Sequence, residues 1–193
     1  MNTITSALFL ALYFCFLSAP QSMAQQALPQ APTCYGEHHQ VLSNSNARVV
    51  SLKQTTQNLY KEQAFVQAHL VKMLAVVVNS YGHHEHFIVS LGEPSSPTFL
   101  NKENLIEIAD SLNDYSAPSA DELSKGPIYL CGEYNTADAA KTPQILNFSP
   151  SVTGAIIHWT HLAGPNVDGN YSHPNGWVYV NGKLYGTALG KQH

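Results

Sequence analysis

The apolar positions of this chain change their spacing along its length. From Asn46 to Gln63, Val49, Leu52, Leu59 and the aliphatic stem of Lys53 recur on roughly one helical face. Asn44 or Ser45 is placed to cap the start. This spacing predicts a helix over 46–63, weakened by the β-branched Thr55-Thr56 pair. From Phe65 to Val78 the pattern is that of a strand, ending in Val76-Val77-Val78. Asn79 to Gly82 reads as a turn and His86 to Leu91 as the return strand. Gly92 to Pro97 is a second turn, followed by a short strand over Thr98 to Leu100. In Glu103 to Leu112 the residues Leu105, Ile108, Ala109 and Leu112 share one helical side, which predicts a short internal helix.

Further on, the polar run Asn113 to Lys125 reads as a loop and Pro127 to Tyr134 as a strand. Gly132 within that strand signals a bulge or a close backbone approach. Asn135 to Thr153, with Pro143 and Pro150, is an excursion between strands, and Gly154 to Thr160 is the next strand. Gly164 to Asn175 is a loop. Trp177 to Val180 and Lys183 to Tyr185 flank Asn181-Gly182, a two-residue hairpin signal. The sum is a mainly β chain of roughly five to seven short strands, with an N-terminal helix and one short internal helix. Closure removes exposed strand edges, so the expected architecture is a small closed barrel of the oligonucleotide/oligosaccharide-binding (OB) type.

The N-terminus is different in kind. Ala7 to Ala19 is an uncharged apolar run, and Ser22 and Ala24 are spaced for cleavage before Gln25. The run is shorter than the roughly 20 residues a bilayer span needs. Phe14 before Cys15 does not fit a lipidation site. The expected organisation is a signal peptide over 1–24, a flexible leader over 25–45 and a single β-barrel domain over 46–193. Export is expected, to the periplasm or beyond the cell, with no stable membrane insertion after cleavage. Cys15 leaves with the signal. Cys34 and Cys131 then read as one disulfide, against the alternative of two buried thiols.

Charge narrows the partners. The net charge is −4, with nine basic residues, of which Arg48 alone is arginine. Phosphate recognition relies on clustered Lys and Arg, so nucleic acid is disfavoured unless histidines or a metal supply the positive charge.

The candidate chemistry is imidazole and indole. Both tryptophans and three of the ten histidines fall within twenty residues: His158-Trp159-Thr160-His161, then His173-Pro174-Asn175-Gly176-Trp177. A second group is His83-His84-Glu85-His86. On a strand, His84 and His86 share one face, and His83 and Glu85 share the other. A His-x-His pair begins many zinc and copper sites. His158 and His161 diverge on a regular strand and converge only if it ends or bulges near Thr160. Glu85, Glu133 and Asp168 are candidate carboxylates for orienting a histidine base. The chain has no Gly-x-Ser-x-Gly elbow and no phosphate-cradling glycine loop.

Cys131-Gly132-Glu133-Tyr134, Ile157 to His161, His173 to Trp177 and Asn181 to Tyr185 together resemble a family of small exported bacterial domains of unestablished activity. That family carries Gly-Glu-Tyr, His-Trp-Thr-His and His-Pro-Asp-Gly-Trp segments in this order. His84 to Leu91 looks like its His-Gln-x-Phe-Ile-Leu strand. The resemblance spans roughly Phe65 to Gly186. The chain departs from the family at Leu162, where members often carry another histidine, and at Asn175, where the usual residue is aspartate. Asn135 to Thr153 and Val167 to Ser172 look like insertions. By matching, the resemblance points to His84, His158, His161 and His173.

Three readings follow. One is a binding module, in which Trp159, Trp177, His161, His173, Glu133 and Tyr134 meet a small-molecule, sugar or peptide ligand. The second is a metal-dependent hydrolase, in which His84, His158, His161 and His173 hold zinc or another divalent ion. The third is a structural or interaction protein whose histidines satisfy its core.

Overall fold

The computed structural model describes residues 30–36, 38–54, 59, 62–79, 82–112, 116–136, 151–162 and 175–186. The expected signal peptide, His173 and Asp168 lie outside these residues. Strand accounts for 44% and helix for 13% of the described residues, so the described fold is mainly β, as its pattern predicts. Helix α1 (Asn46–Lys53) is capped by the Ser45 side chain, which accepts from Arg48 N. It ends earlier than predicted, and Glu62 and Gln63 open strand β1 (Glu62–Met73) instead. Strand β2 (Val77–Asn79) turns back into β3 (Gly82–Ser90), as the Asn79–Gly82 signal requires.

Two expectations fail after β3. Thr98 to Leu100 is a run of turns, closed by Phe99 N donating to Ser96 O and Asn101 N to Thr98 O. The segment expected to be the internal helix is a short 3-10 turn (Lys102–Asn104) and then strand β4 (Leu105–Ser111). Its Leu-Ile-Glu-Ile-Ala-Asp pattern fits a period of two as well as a helix. The strand wins because β3 offers it a hydrogen-bonding edge and because six of its seven residues are buried. The internal helix is α2 (Ala120–Leu123), in the segment expected to be a loop. Its signal was a capping box, with Ser119 and Glu122 bonding each other's backbone N–H. Glu122 also takes hydrogen bonds from the Tyr185 hydroxyl and from Lys183 Nζ at 3.1 Å, locking α2 to the C-terminal hairpin.

The remaining strands are β5 (Ile128–Thr136), β6 (Ala155–His158), β7 (Trp177–Val180) and β8 (Lys183–Tyr185). Asn181 (φ 51°) and Gly182 (φ 80°) form the turn between β7 and β8, as their sequence predicts. Five strands make a ring in the order β1-β3-β4-β6-β5 and back to β1. All contacts are antiparallel except β4 with β6. The core lies on the inward face: Ala64, Val66, Phe87, Ile108, Leu130 and Ile157 are among its members.

Strand β5 organises the site. One edge pairs with β1 from Ile128 to Tyr134. The other is divided, with β7 on Ile128 to Cys131 and β6 on Glu133 to Thr136. Gly132 stands at the fork. Outside the ring, Cys131, Trp177 and Tyr179 form a second apolar cluster with Cys34, backed by Phe65. The disulfide Cys34–Cys131 is present, joining residues 97 apart in sequence. Residues 30–36 and 38–45, expected within a flexible leader, are tied down by this bond, by a Tyr35–Val41 bridge and by Ser45 N donating to Phe65 O. Among the described residues no helix is long and apolar enough to cross a membrane.

Candidate functional site

Strand alternation carries the polar residues outward from the ring. Phe87 and Val89 of β3 enter the core, so His84 and His86 project from the opposite face. They stand across from Ser111 and Ala109 of β4. His86 Nδ1 lies 2.7 Å from Glu107 Oε1, and both residues are buried. The other oxygen of Glu107 accepts from Val152 N at 3.2 Å. On the neighbouring strands, His158 pairs with Glu133, with Nε2 3.8 Å from Oε2. The outward face of β3, β4, β6 and β5 therefore carries two buried histidine–glutamate couples. Such a carboxylate orients an imidazole.

Strand β6 ends at His158, and Trp159 adopts φ 56°. A bulky residue there costs about 1–2 kcal/mol and persists only where the surroundings over-determine it. The left-handed residue reverses the alternation. Thr160 turns inward, and the half-buried indole stays beside His158, ring centroids 5.9 Å apart. The His161 ring lies on the same indole at 5.0 Å. The strand break thus brings both histidines to one tryptophan. His161 Nδ1 lies 2.9 Å from the Leu162 carbonyl. A carbonyl only accepts, so Nδ1 carries the proton and Nε2 of neutral His161 carries the lone pair.

Three glycines hold this segment. A Cβ on Gly132 would lie 2.6 Å from His158 O, one on Gly176 1.7 Å from Trp159 O, and one on Gly186 2.3 Å from Thr160 O. Gly176 N donates to His161 O and Leu162 N donates to Gly186 O. The glycines of Cys-Gly-Glu-Tyr, Pro-Asn-Gly-Trp and Leu-Tyr-Gly thus serve one purpose: each lets backbone reach the His-Trp-Thr-His segment.

Inside the ring, Thr160 Oγ1 donates to Asp110 Oδ1 at 3.0 Å. Asp110 is fully buried, and Oδ2 has no hydrogen-bond partner among the described residues. Burial pushes this carboxyl up to about 8, with a further push from Glu85 opposite it on β3. Burial also lowers His84, followed by the charges of His86, His161 and His83.

The other expected site residues fall elsewhere. Trp177 is 6% exposed, edge-on to Phe65 at 5.5 Å, so its indole belongs to the second cluster and offers no platform. Tyr134 is in the core, its hydroxyl pushed up to about 12 by burial. Glu133 is buried beneath His158. Among the described residues no three His, Cys, Asp or Glu side chains converge to hold a metal. His84, His158 and His161 alone therefore do not make the expected ligand set. Glu107, Asp110 and Thr160 were missed. Two of them sit in the segment read as a helix, and their signal was a carboxylate between apolar strand residues.

No protein-family model matches the chain, and no curated protein or solved structure is significantly similar to it.

Proposed function

We propose that this is an exported OB-like binding module that takes a neutral, polyhydroxylated ligand on Trp159; the resemblance to exported bacterial domains bears on its export and not on its ligand. The observation that carries the reading is the left-handed, half-buried Trp159 held between His158 and His161. An indole face with adjacent imidazole donors and acceptors suits a sugar ring and its hydroxyls. The segments that form the site, His83 to His86 and His158 to Leu162, contain no Lys or Arg, which argues against a phosphate. The OB-like reading draws on the ring order, which runs 1-2-3-5-4 when its strands are numbered along the chain, with strands 3 and 5 parallel. OB barrels bind ligands on the face of strands 2 and 3. Here those are β3, which carries His84 and His86, and β4, which carries Glu107. The disulfide fits an oxidising compartment.

The protein has two tryptophans, so its indole N–H groups give two NMR cross-peaks. Chitohexaose, cellohexaose and laminarihexaose are titrated in turn. Binding shifts the Trp159 peak, leaves the Trp177 peak in place and is lost in Trp159→Ala. If none of the three moves the Trp159 peak, the reading is wrong.

A second reading, metal-dependent hydrolysis, draws on the His84-x-His86 pair, which projects from one face of β3. Metal analysis of untagged protein decides it: stoichiometric zinc lost in His84→Ala supports it, and trace metal indifferent to that change removes it.

A further inference from the structure

We propose that Asp110 is the positioning residue of the Trp159 site, acting from inside the ring through Thr160. The inference rests on the binding reading above for its functional meaning, and on the ring geometry for its structure.

On a continued strand β6, Trp159 would face inward and Thr160 outward. The observed arrangement is the reverse, and each half needs an anchor. The backbone anchors lie after the turn: His161 O accepts from Gly176 N, and Leu162 N donates to Gly186 O. At the turn itself the anchor is a side chain. Thr160 Oγ1 reaches Asp110 Oδ1 at 3.0 Å and the Ala109 carbonyl at 3.4 Å. The Thr160 methyl fills the space that Gly132 leaves on β5, where a Cβ would lie 3.2 Å from it. Thr160 therefore spans the gap from β4 to β5 where β6 stops.

Asp110 is an expensive residue for this place. It follows Ile106 and Ile108 along the inward face of β4, and an asparagine or an apolar residue would fill the space at lower cost. Its neighbour on β3 is another carboxylate, Glu85, and from the β6 side it meets the Thr160 hydroxyl. Among the described residues the Asp110 carboxyl reaches the Trp159 segment through the Thr160 hydroxyl, one residue after the indole. Removing that contact frees Thr160 to swing outward and lets Trp159 relax from its left-handed state, taking the indole away from His158 and His161.

The test reads the ligand-free protein, so it stands whether or not an oligosaccharide binds. The Trp159 and Trp177 indole peaks are recorded for wild type, Asp110→Ala, Asp110→Asn, Thr160→Val and Thr160→Ser. Asp110→Ala and Thr160→Val shift or broaden the Trp159 peak and leave the Trp177 peak unchanged. Asp110→Asn and Thr160→Ser, which keep a hydrogen-bonding partner, restore it. Where chitohexaose binds wild type, Asp110→Ala weakens its Kd about tenfold, the worth of one hydrogen bond, and Asp110→Asn does not. A wild-type Trp159 peak in Asp110→Ala overturns the proposal. If that variant does not fold, Thr160→Val carries the test, and a wild-type Trp159 peak there overturns it. Failure of all three hexasaccharides to bind removes the binding reading but leaves the indole comparison to decide the positioning role.

Discussion

Asp110 makes the stability of this protein fall as the pH rises through neutrality. Its carboxyl is fully buried and pushed from 3.8 to about 8, first by burial and then by Glu85, against the lowering effect of the Thr160 hydroxyl and the Ser111 backbone. The folded state therefore keeps a proton that the unfolded chain gives up. Its contribution is intact below about pH 4 and is lost progressively as the pH rises through the folded value near 8. At 1.36 kcal/mol per pH interval, the whole effect is roughly 6 kcal/mol, an amount comparable with the total stability of many domains. The best window is pH 6.5 to 8. Below it His84, lowered by burial, changes stability in the opposite sense. Above it Lys53, lowered to about 8 by burial and by Lys102, does the same. Within that window the expected loss is roughly 2 kcal/mol, a fall in Tm of about 4–8 °C for a chain of this size. Urea and thermal melts at pH 6.5, 7.25 and 8 measure it. Asp110→Asn, which has no charge to bury, removes the slope. Parallel wild-type and Asp110→Asn profiles across the window would refute the reasoning.

Other consequences are as concrete. Gly176→Ala places a methyl 1.7 Å from Trp159 O and should cost at least about 3 kcal/mol, read from urea midpoints. Replacing Cys34 and Cys131 together by alanine opens a loop closed across 97 residues, with an expected loss of about 4–5 kcal/mol by chain entropy; thiol counting on unfolded wild type should first find both cysteines blocked. Glu107→Ala removes the carboxylate partner of buried His86 and the acceptor of Val152 N, with an expected cost of about 2–4 kcal/mol by denaturant melts, the worth of two lost hydrogen bonds in a buried place. Intact-mass analysis of protein exported from a bacterial host should find Gln25 at the mature N-terminus, and an uncleaved chain would contradict the signal-peptide assignment.

Local chemistry made some of this fold legible. Asn181-Gly182 dictates its own turn, because both residues accept positive φ. The Phe65 to Val78 run holds two strands, β1 and β2, parted at Leu74 to Val76. Strand β4 was illegible because Leu105, Ile108, Ala109 and Leu112 satisfy a helical period while Ile106 and Ile108 satisfy a strand period. Only the neighbouring edge of β3 decides between them. At the site, the divergence of His158 and His161 followed correctly from strand geometry, with the strand's end as the stated exception. The exception holds because of residues remote in sequence. Gly132, Gly176 and Gly186 permit the backbone path, and Asp110 receives Thr160. A glycine announces that space is needed but not which chain will fill it. Trp177 looked like the partner of Trp159 because both sit among histidines, yet β7 turns it to the disulfide side of the sheet.

The divided edge of β5 bears on how this chain tolerates change. Strands β6 and β7 return to adjacent stretches of the same edge, on either side of Gly132. The chain that leaves β5 and returns as β6, and the chain that leaves His161 and returns as β7, both begin and end near this one seam. What the seam fixes is where the two connections start and finish, and there one added methyl at Gly132 meets His158 O at 2.6 Å. At the seam two strands share one edge at a point where a single carbon is too many.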